Sequence, residues 1–224
     1  GPCPQCASGK TSSMGVHKKA RAPDYKPQKA LDQVDVDFTG PYPESINKRT
    51  HVFSMVDSFD GWVENYPCRY RTENAKLLER YIHEVGKPSR VRSDNAKEFR
   101  EEDCLWRKLC RARGIQPTFS VPYEPQMNSV VERWNRTSVD AIRANLAGGD
   151  KRLWDWCARY VAFVWNRLSH KDKPSPYEMR HGRKPATHFY RRFGCLAYAQ
   201  IMVDAGDRKP SELADRYERG VFLG

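Results

Sequence analysis

Apolar and polar residues alternate through "QVDVDFT", residues 33–39, placing Val34, Val36 and Phe38 on one face and Asp35, Asp37 and Thr39 on the other. That two-residue period predicts a strand, which "GPYPE" then breaks. "HVFSMVD", "SFDG" and "WVENYPC" read as strand, tight turn and strand. From Asn74 to Val85 the stripe Leu77, Leu78, Tyr81, Ile82 and Val85 has helical spacing. "KPSRVRSDN" predicts a short strand running into a polar loop. "EEDCLWRKLCRARG" predicts a helix with Leu105, Trp106, Leu109 and Cys110 inward and a glycine stop. "IQPTFSVPY" gives another strand, and a long helix opens after "PYEPQMNS". One more helix, roughly Leu153 to Ser169, carries Trp154, Cys157, Tyr160, Val161, Val164, Trp165 and Leu168 as core. The β-like pieces "CLAYAQI" and "GVFLG" close the chain. Three strands, helix, strand, helix, strand and long helix predict a mixed α/β sheet with helices packed on it.

The 224 residues suffice for one large domain with appendages, and no apolar run approaches the ~20 residues that cross a bilayer. The start, "GPCPQCASGK", lacks an initiating Met and an apolar signal segment, and reads as a cut from a longer polyprotein or as a cloning scar. Seven cysteines without framework spacing point to a reducing compartment. Net charge is +11, and its placement says more than its size. Residues 143–192 hold twelve Lys/Arg against four Asp/Glu, and residues 1–36 hold six against three, while the middle is close to neutral. Basic arms beside a neutral core suit a polyanion, though a merely soluble basic surface fits the charge equally.

Three carboxylates occupy special places in this plan. Asp37 lies near the end of the first strand, just before "TGP", Asp94 lies past the fourth strand in "RSDN", and Glu132 opens the long helix. Strand ends and helix starts are where α/β sheets gather functional groups. Carboxylates brought together repel unless a cation joins them, and an all-oxygen set selects Mg²⁺ or Mn²⁺ over zinc. On the long helix Glu132, Arg133, Arg136, Asp140 and Arg143 share an arc opposite Val130, Val131, Trp134, Ala141, Ile142 and Leu146. Arg136, one turn past Glu132, has the position and charge to hold a phosphate. The bland account of Glu132 is favourable charge at a helix start.

"VDVDFTGP", "RSDNAKEF" and "PYEPQMNSVVERWNR" resemble the three catalytic segments of integrases from Copia-type long-terminal-repeat retrotransposons. Thirty-seven residues separate Asp94 from Glu132, close to that family's habitual spacing. "FGCLAYAQI" and "RYERGVFLG" look like the segments C-terminal to the core in that group, and "CPQCASGK" resembles half of its His-His-Cys-Cys zinc module.

The resemblance implies a ribonuclease-H-like mixed sheet flanked by helices. It implies a triad of Asp37, Asp94 and Glu132 holding two Mg²⁺ or Mn²⁺ ions about 3.5–4 Å apart. The implied organisation is a zinc-module remnant and linker over 1–29, a catalytic core over 30–185 and a truncated β-rich tail over 186–224. The implied reaction trims the element's DNA ends and joins them to target DNA. A ribonuclease-H-like nuclease and an inactive DNA-binding remnant are the rivals. Ala96 and Ser129 stand where the family usually has glycine, changes that would stiffen or misplace the loop.

Other residues take expectations of their own. Asp37 is preferred over Asp35 as ligand, because it abuts the break. Asp57 and Asp60 flank a turn and are structural. Lys97, Gln126, Asn128, Arg133, Arg136, Arg180, Arg183 and Lys184 are candidate DNA contacts. Cys3 and Cys6 are half of a zinc site, complete only with a histidine pair upstream. Cys104 and Cys110 are inert core thiols. The expected partners are double-stranded DNA and further copies of the chain, with no membrane and no small-molecule substrate. The expected location is the nucleus, after a cytoplasmic particle.

Overall fold

A computed structural model describes residues 25–120, 129–170, 173–200 and 217–224. Strands β1 (Gln33–Thr39), β2 (His51–Asp57) and β3 (Val63–Cys68) come first. Helix α1 (Asn74–Glu84), strand β4 (Arg90–Ser93) and helices α2 (Lys97–Arg100) and α3 (Leu105–Arg113) come next. Strand β5 (Gln116–Phe119) precedes the long helix α4 (Ser129–Asn145), then α5 (Trp154–Trp165) and α6 (Pro176–His181). Strands β6 (Leu196–Gln200) and β7 (Tyr217–Val221) end the described chain. The main sheet runs β3-β2-β1-β4-β5, and β6 pairs with β7 in a separate ladder. β1, β2 and β3 pair antiparallel, whereas β4 pairs parallel to both β1 and β5. The sheet is mixed.

Strand alternation divides the core into two layers. Val34, Val36 and Phe38 face α1 and α3, with Phe53, Met55, Leu78, Tyr81, Phe99 and Trp106 around them. Phe38 and Phe53 lie 4.5 Å apart between ring centroids, and Phe99 meets Trp106 edge-on at 5.0 Å. On the other face Val52, Val56 and Val63 pack against Val131, Trp134, Cys157 and Val161 from α4 and α5. Asp35 and Asp37 alternate onto this second face, because their neighbours fill the first. After β1 the chain turns at Gly40, whose φ is +115° and where a Cβ would stand 2.7 Å from the Thr50 carbonyl oxygen. Glycine is required there.

Several expectations need correction. Leu105 is exposed, since it opens α3 on the side away from the sheet, and α3 buries Trp106 and Cys110 instead. Leu168 is exposed because α5 ends at Trp165, three residues earlier. The last strand is "YERGV" rather than "GVFLG"; Phe222 and Leu223 lie beyond it and pack on the α4–α5 layer. Phe193 is buried in that layer too, so the tail shares the core's apolar interior. The short helices α2 and α6 are additions that the hydrophobic pattern did not reveal. Among the described residues no helix is long and apolar enough to cross a membrane.

The largest correction concerns Arg180. Its Nε donates to Asp60 Oδ2 at 2.7 Å and its Nη2 to Asp57 Oδ2 at 2.7 Å, and its guanidinium lies 4.6 Å from the Trp62 ring centre. Asp57 and Asp60 are structural as expected, also accepting from the backbone N–H of Leu31, Phe59 and Trp62. With its charge matched by two buried carboxylates, Arg180 fastens α6 to the β2–β3 turn and is no DNA contact. Removing one partner of a buried pair leaves the other charge uncompensated. Arg180→Met should therefore lower stability by about 3–5 kcal/mol, measured by urea denaturation.

Candidate functional site

Asp37 sits two residues before the end of β1 with its carboxylate toward α4. Its Oδ1 accepts from the Phe38 N–H at 2.8 Å and its Oδ2 from Asn135 Nδ2 at 2.9 Å. Asn135 lies three residues past Glu132, so α4 touches Asp37 directly. Asp94 comes just after β4 in the loop that enters α2, and its Oδ1 accepts from the Ala96 N–H at 3.2 Å. Glu132 is an exposed residue in the first turn of α4, beside Arg133 and Arg136, whose charges oppose the desolvation that raises its pKa. Burial, then the charge of Asp94 and that of Glu132, push the Asp37 carboxyl up to about 6, against the Phe38 N–H and the Arg71 guanidinium. Three segments distant in sequence thus bring negative charge to one end of the sheet.

The donor chemistry suits an oxygen-liganded cation, because this negative field at Asp37 is only partly offset. As the side chains stand, no three His, Cys, Asp or Glu groups among the described residues are close enough together to hold a metal ion. The expected closed ligand set of Asp37, Asp94 and Glu132 is thus not formed by the side chains as they stand among the described residues. Asp35 stands apart from this group. It is fully buried, with Arg92 Nη2 at 2.7 Å from Oδ2 and further bonds from Ser58 and Gln33.

Residues 27–125 match the integrase core domain family. Asp37 and Asp94 lie inside the integrase core match and Glu132 just beyond it. The chain is 27% identical over 188 residues to the Pro-Pol polyprotein of Simian foamy virus type 3, covering 84% of this chain and 16% of that one. It is 24% identical to a retrovirus-related Pol polyprotein from transposon TNT 1-94 of Nicotiana tabacum, covering 100% of this chain and 17% of that one. The chain thus spans about a sixth of these curated relatives. The HTLV-2 integrase catalytic core domain in complex with magnesium superposes with a TM-score of 0.58 at 18% identity, covering 70% of this chain and 100% of that one. The simian T-cell lymphotropic virus intasome bound to a PP2A regulatory subunit, B56 gamma, gives 0.62 at 17% identity, covering 98% and 76%. These likenesses establish the ribonuclease-H-like integrase fold.

Other candidate residues fall into clear groups. Lys97, Arg133, Arg136, Arg183 and Lys184 are exposed and make no ion pair among the described residues. Gln126, Asn128, Cys3 and Cys6 lie outside the described residues. Ala96 has φ −62° and ψ 147°, ordinary extended backbone, so it strains nothing in place of a glycine. Burial pushes the Cys110 thiol up to about 12, as expected of an inert thiol, whereas Cys104 is only half-buried.

Sequence reading missed the asparagines. Asn135 lies on the buried side of α4 with one amide atom on Asp37 and its Oδ1 without a partner. Asn65 on β3 is buried behind it. Its Oδ1 accepts from Ser54 Oγ and Trp134 Nε1 at 3.0 Å each, and its Nδ2 donates at 2.9 Å to Ser138 Oγ and the Ala158 carbonyl. One side chain thereby joins β2, β3, α4 and α5. The available signal was a lone polar residue in "WVENYPC" at an inward position, facing a Trp and a Ser four residues apart on α4. Asn65→Ala should cost at least ~2 kcal/mol, because several buried groups lose their partner. Thermal or urea unfolding would measure it.

Proposed function

We propose that this chain is the catalytic core of a divalent-metal-dependent polynucleotidyl transferase. It trims the DNA ends of a Copia-type retrotransposon and joins them to target DNA. The observation that carries this reading is the placement of Asp37 near the end of β1, Asp94 just past the parallel strand β4 and Glu132 in the first turn of α4, the helix that bonds Asp37 through Asn135. The integrase core match supports the reaction class, and the transposon relative aligned along the whole chain supports the element type. The magnesium complex of the HTLV-2 core supports Mg²⁺ or Mn²⁺ as the metal, and the intasome supports an assembly of several copies on DNA.

Asp37, Asp94 and Glu132 are the groups that would hold the metal. Bound divalent ions supply the positive charge that lets an oxygen nucleophile attack a phosphodiester and an oxygen leave it. The chain's own contribution is placement. Asn135 fixes the rotation of the Asp37 carboxylate, and α4 carries Glu132 to the same end of the sheet. Lys97, Arg133 and Arg136 would hold phosphates near the reacting bond, and Arg183 and Lys184 would hold more distant ones. We assign residues 1–29 to a linker with a zinc-module remnant, 30–185 to the core and 186–224 to the tail, and the site of action to the nucleus.

The raised pKa gives a signed test. A carboxyl whose folded pKa lies above its unfolded value contributes stability that is complete below about pH 4 and is lost as pH rises through about 6. Without metal, Asp37→Asn should therefore unfold at a higher temperature than the native chain at pH 7, the gap closing toward pH 4. It should be worth roughly 3 kcal/mol at most. Adding Mg²⁺ or Mn²⁺ should raise the melting temperature of the native chain more than that of Asp37→Asn.

Glu132→Gln should abolish strand transfer on oligonucleotides bearing element-end sequence by orders of magnitude, while DNA binding and fold persist. If Glu132 only complements the helix dipole, the same change would keep activity and cost about 0.3–1 kcal/mol. A Glu132→Gln protein joining ends at the native rate would falsify the assignment.

A further inference from the structure

Arg71 lies in the turn Arg71–Glu73 between β3 and α1, at the end of the sheet where Asp37 and Asp94 emerge. Its guanidinium carbon stands 5.2 Å from the ring centre of Phe38, the residue after Asp37. Its Nε donates to Glu98 Oε1 at 2.5 Å, and Glu98 belongs to α2, four residues beyond Asp94. Asn74 Nδ2 donates to the Glu98 carbonyl at 2.8 Å, so this corner grips the segment after Asp94 at two points. Arg71 is thus held on two sides, by a ring and by a carboxylate, and is close enough to Asp37 to be felt there. Yet its side chain remains 41% exposed, and its two Nη groups make no hydrogen bond among the described residues.

A guanidinium oriented by stacking and by one ion pair, with its outer fork open, is prepared to receive a planar or tetrahedral oxyanion in two parallel bonds. Glu98 alone does not use it up: one Nε bond on a partly exposed pair leaves the fork unoccupied. The group that must approach Asp37 and Asp94 during reaction is a DNA phosphate. We infer that Arg71 is a phosphate-binding residue of the reacting DNA strand, with Phe38 and Glu98 holding its guanidinium beside the carboxylates. The inference rests on the DNA-joining function proposed for the carboxylates.

Affinity for a short element-end duplex, followed against salt by fluorescence anisotropy, tests it on the full chain. Each phosphate contact contributes about 0.9 to the slope of log affinity against log salt for duplex DNA. Arg71→Ala should make that slope shallower by about 0.9 and weaken binding about tenfold at low salt. Glu98→Gln should keep the slope, because it breaks the ion pair and leaves the cation in place. Thermal unfolding of each variant reports any loss of fold. Three results would overturn the inference: an unchanged slope in folded Arg71→Ala, a Glu98→Gln protein that loses slope equally, or, where Arg71→Ala unfolds, an unchanged slope in folded Arg71→Gln. The DNA-joining function is tested separately by Glu132→Gln, whose retained strand transfer would sink that reading whatever the slopes show.

Discussion

Like charges held against their repulsion set the terms for this end of the molecule. Asp37, Asp94 and Glu132 come from a strand end, a loop and a helix start, and their fields meet where solvent is partly excluded. Such an arrangement costs free energy in the absence of a cation, so the scaffold behind it must resist being pushed apart. Asn135 bonds α4 to the Asp37 carboxylate, and Asn65 bonds α4 and α5 to the sheet's interior. The α4–α5 apolar layer closes around these bonds, with Trp134 serving as packing surface and hydrogen-bond donor at once. The repulsion is local and the support is distributed.

Much of the fold was legible because it depends on period. The alternation in "QVDVDFT" gave β1 and its two faces, and the stripe from Leu77 to Tyr81 gave α1. Glycine marked the end of α3, where Gly114 adopts a left-handed conformation. Features that depend on a partner far along the chain escaped. Arg180 reads as free basic charge until its partners, Asp57 and Asp60, are seen 120 and more residues earlier. Asn65 and Asn135 look like ordinary polar residues, since periodicity records hydrophobicity and not who accepts whose hydrogen bond. The exposure of Leu105 and Leu168 shows the other limit: a helix stripe states a direction, and only packing says where the neighbouring surface ends.

The candidate site was legible to a different degree. Its three carboxylates are marked in the sequence by position alone, at strand ends and a helix start. Their convergence comes from the parallel placement of β1 and β4, which brings the ends bearing Asp37 and Asp94 to the same edge. Arg71 carries no such mark, because its significance comes from Phe38 below it and Glu98 beside it.

The Arg180 clamp also has a consequence for how the chain is made. Asp57 and Asp60 emerge from the ribosome long before Arg180, at roughly 5–20 residues per second. Until then two carboxylates destined for burial lack the Arg180 counter-charge. For several seconds or more that corner has only backbone N–H groups to offer its carboxylates. A polypeptide stopped between β5 and α6 would carry every strand of the main sheet and still lack the cation that lets one of its turns go dry.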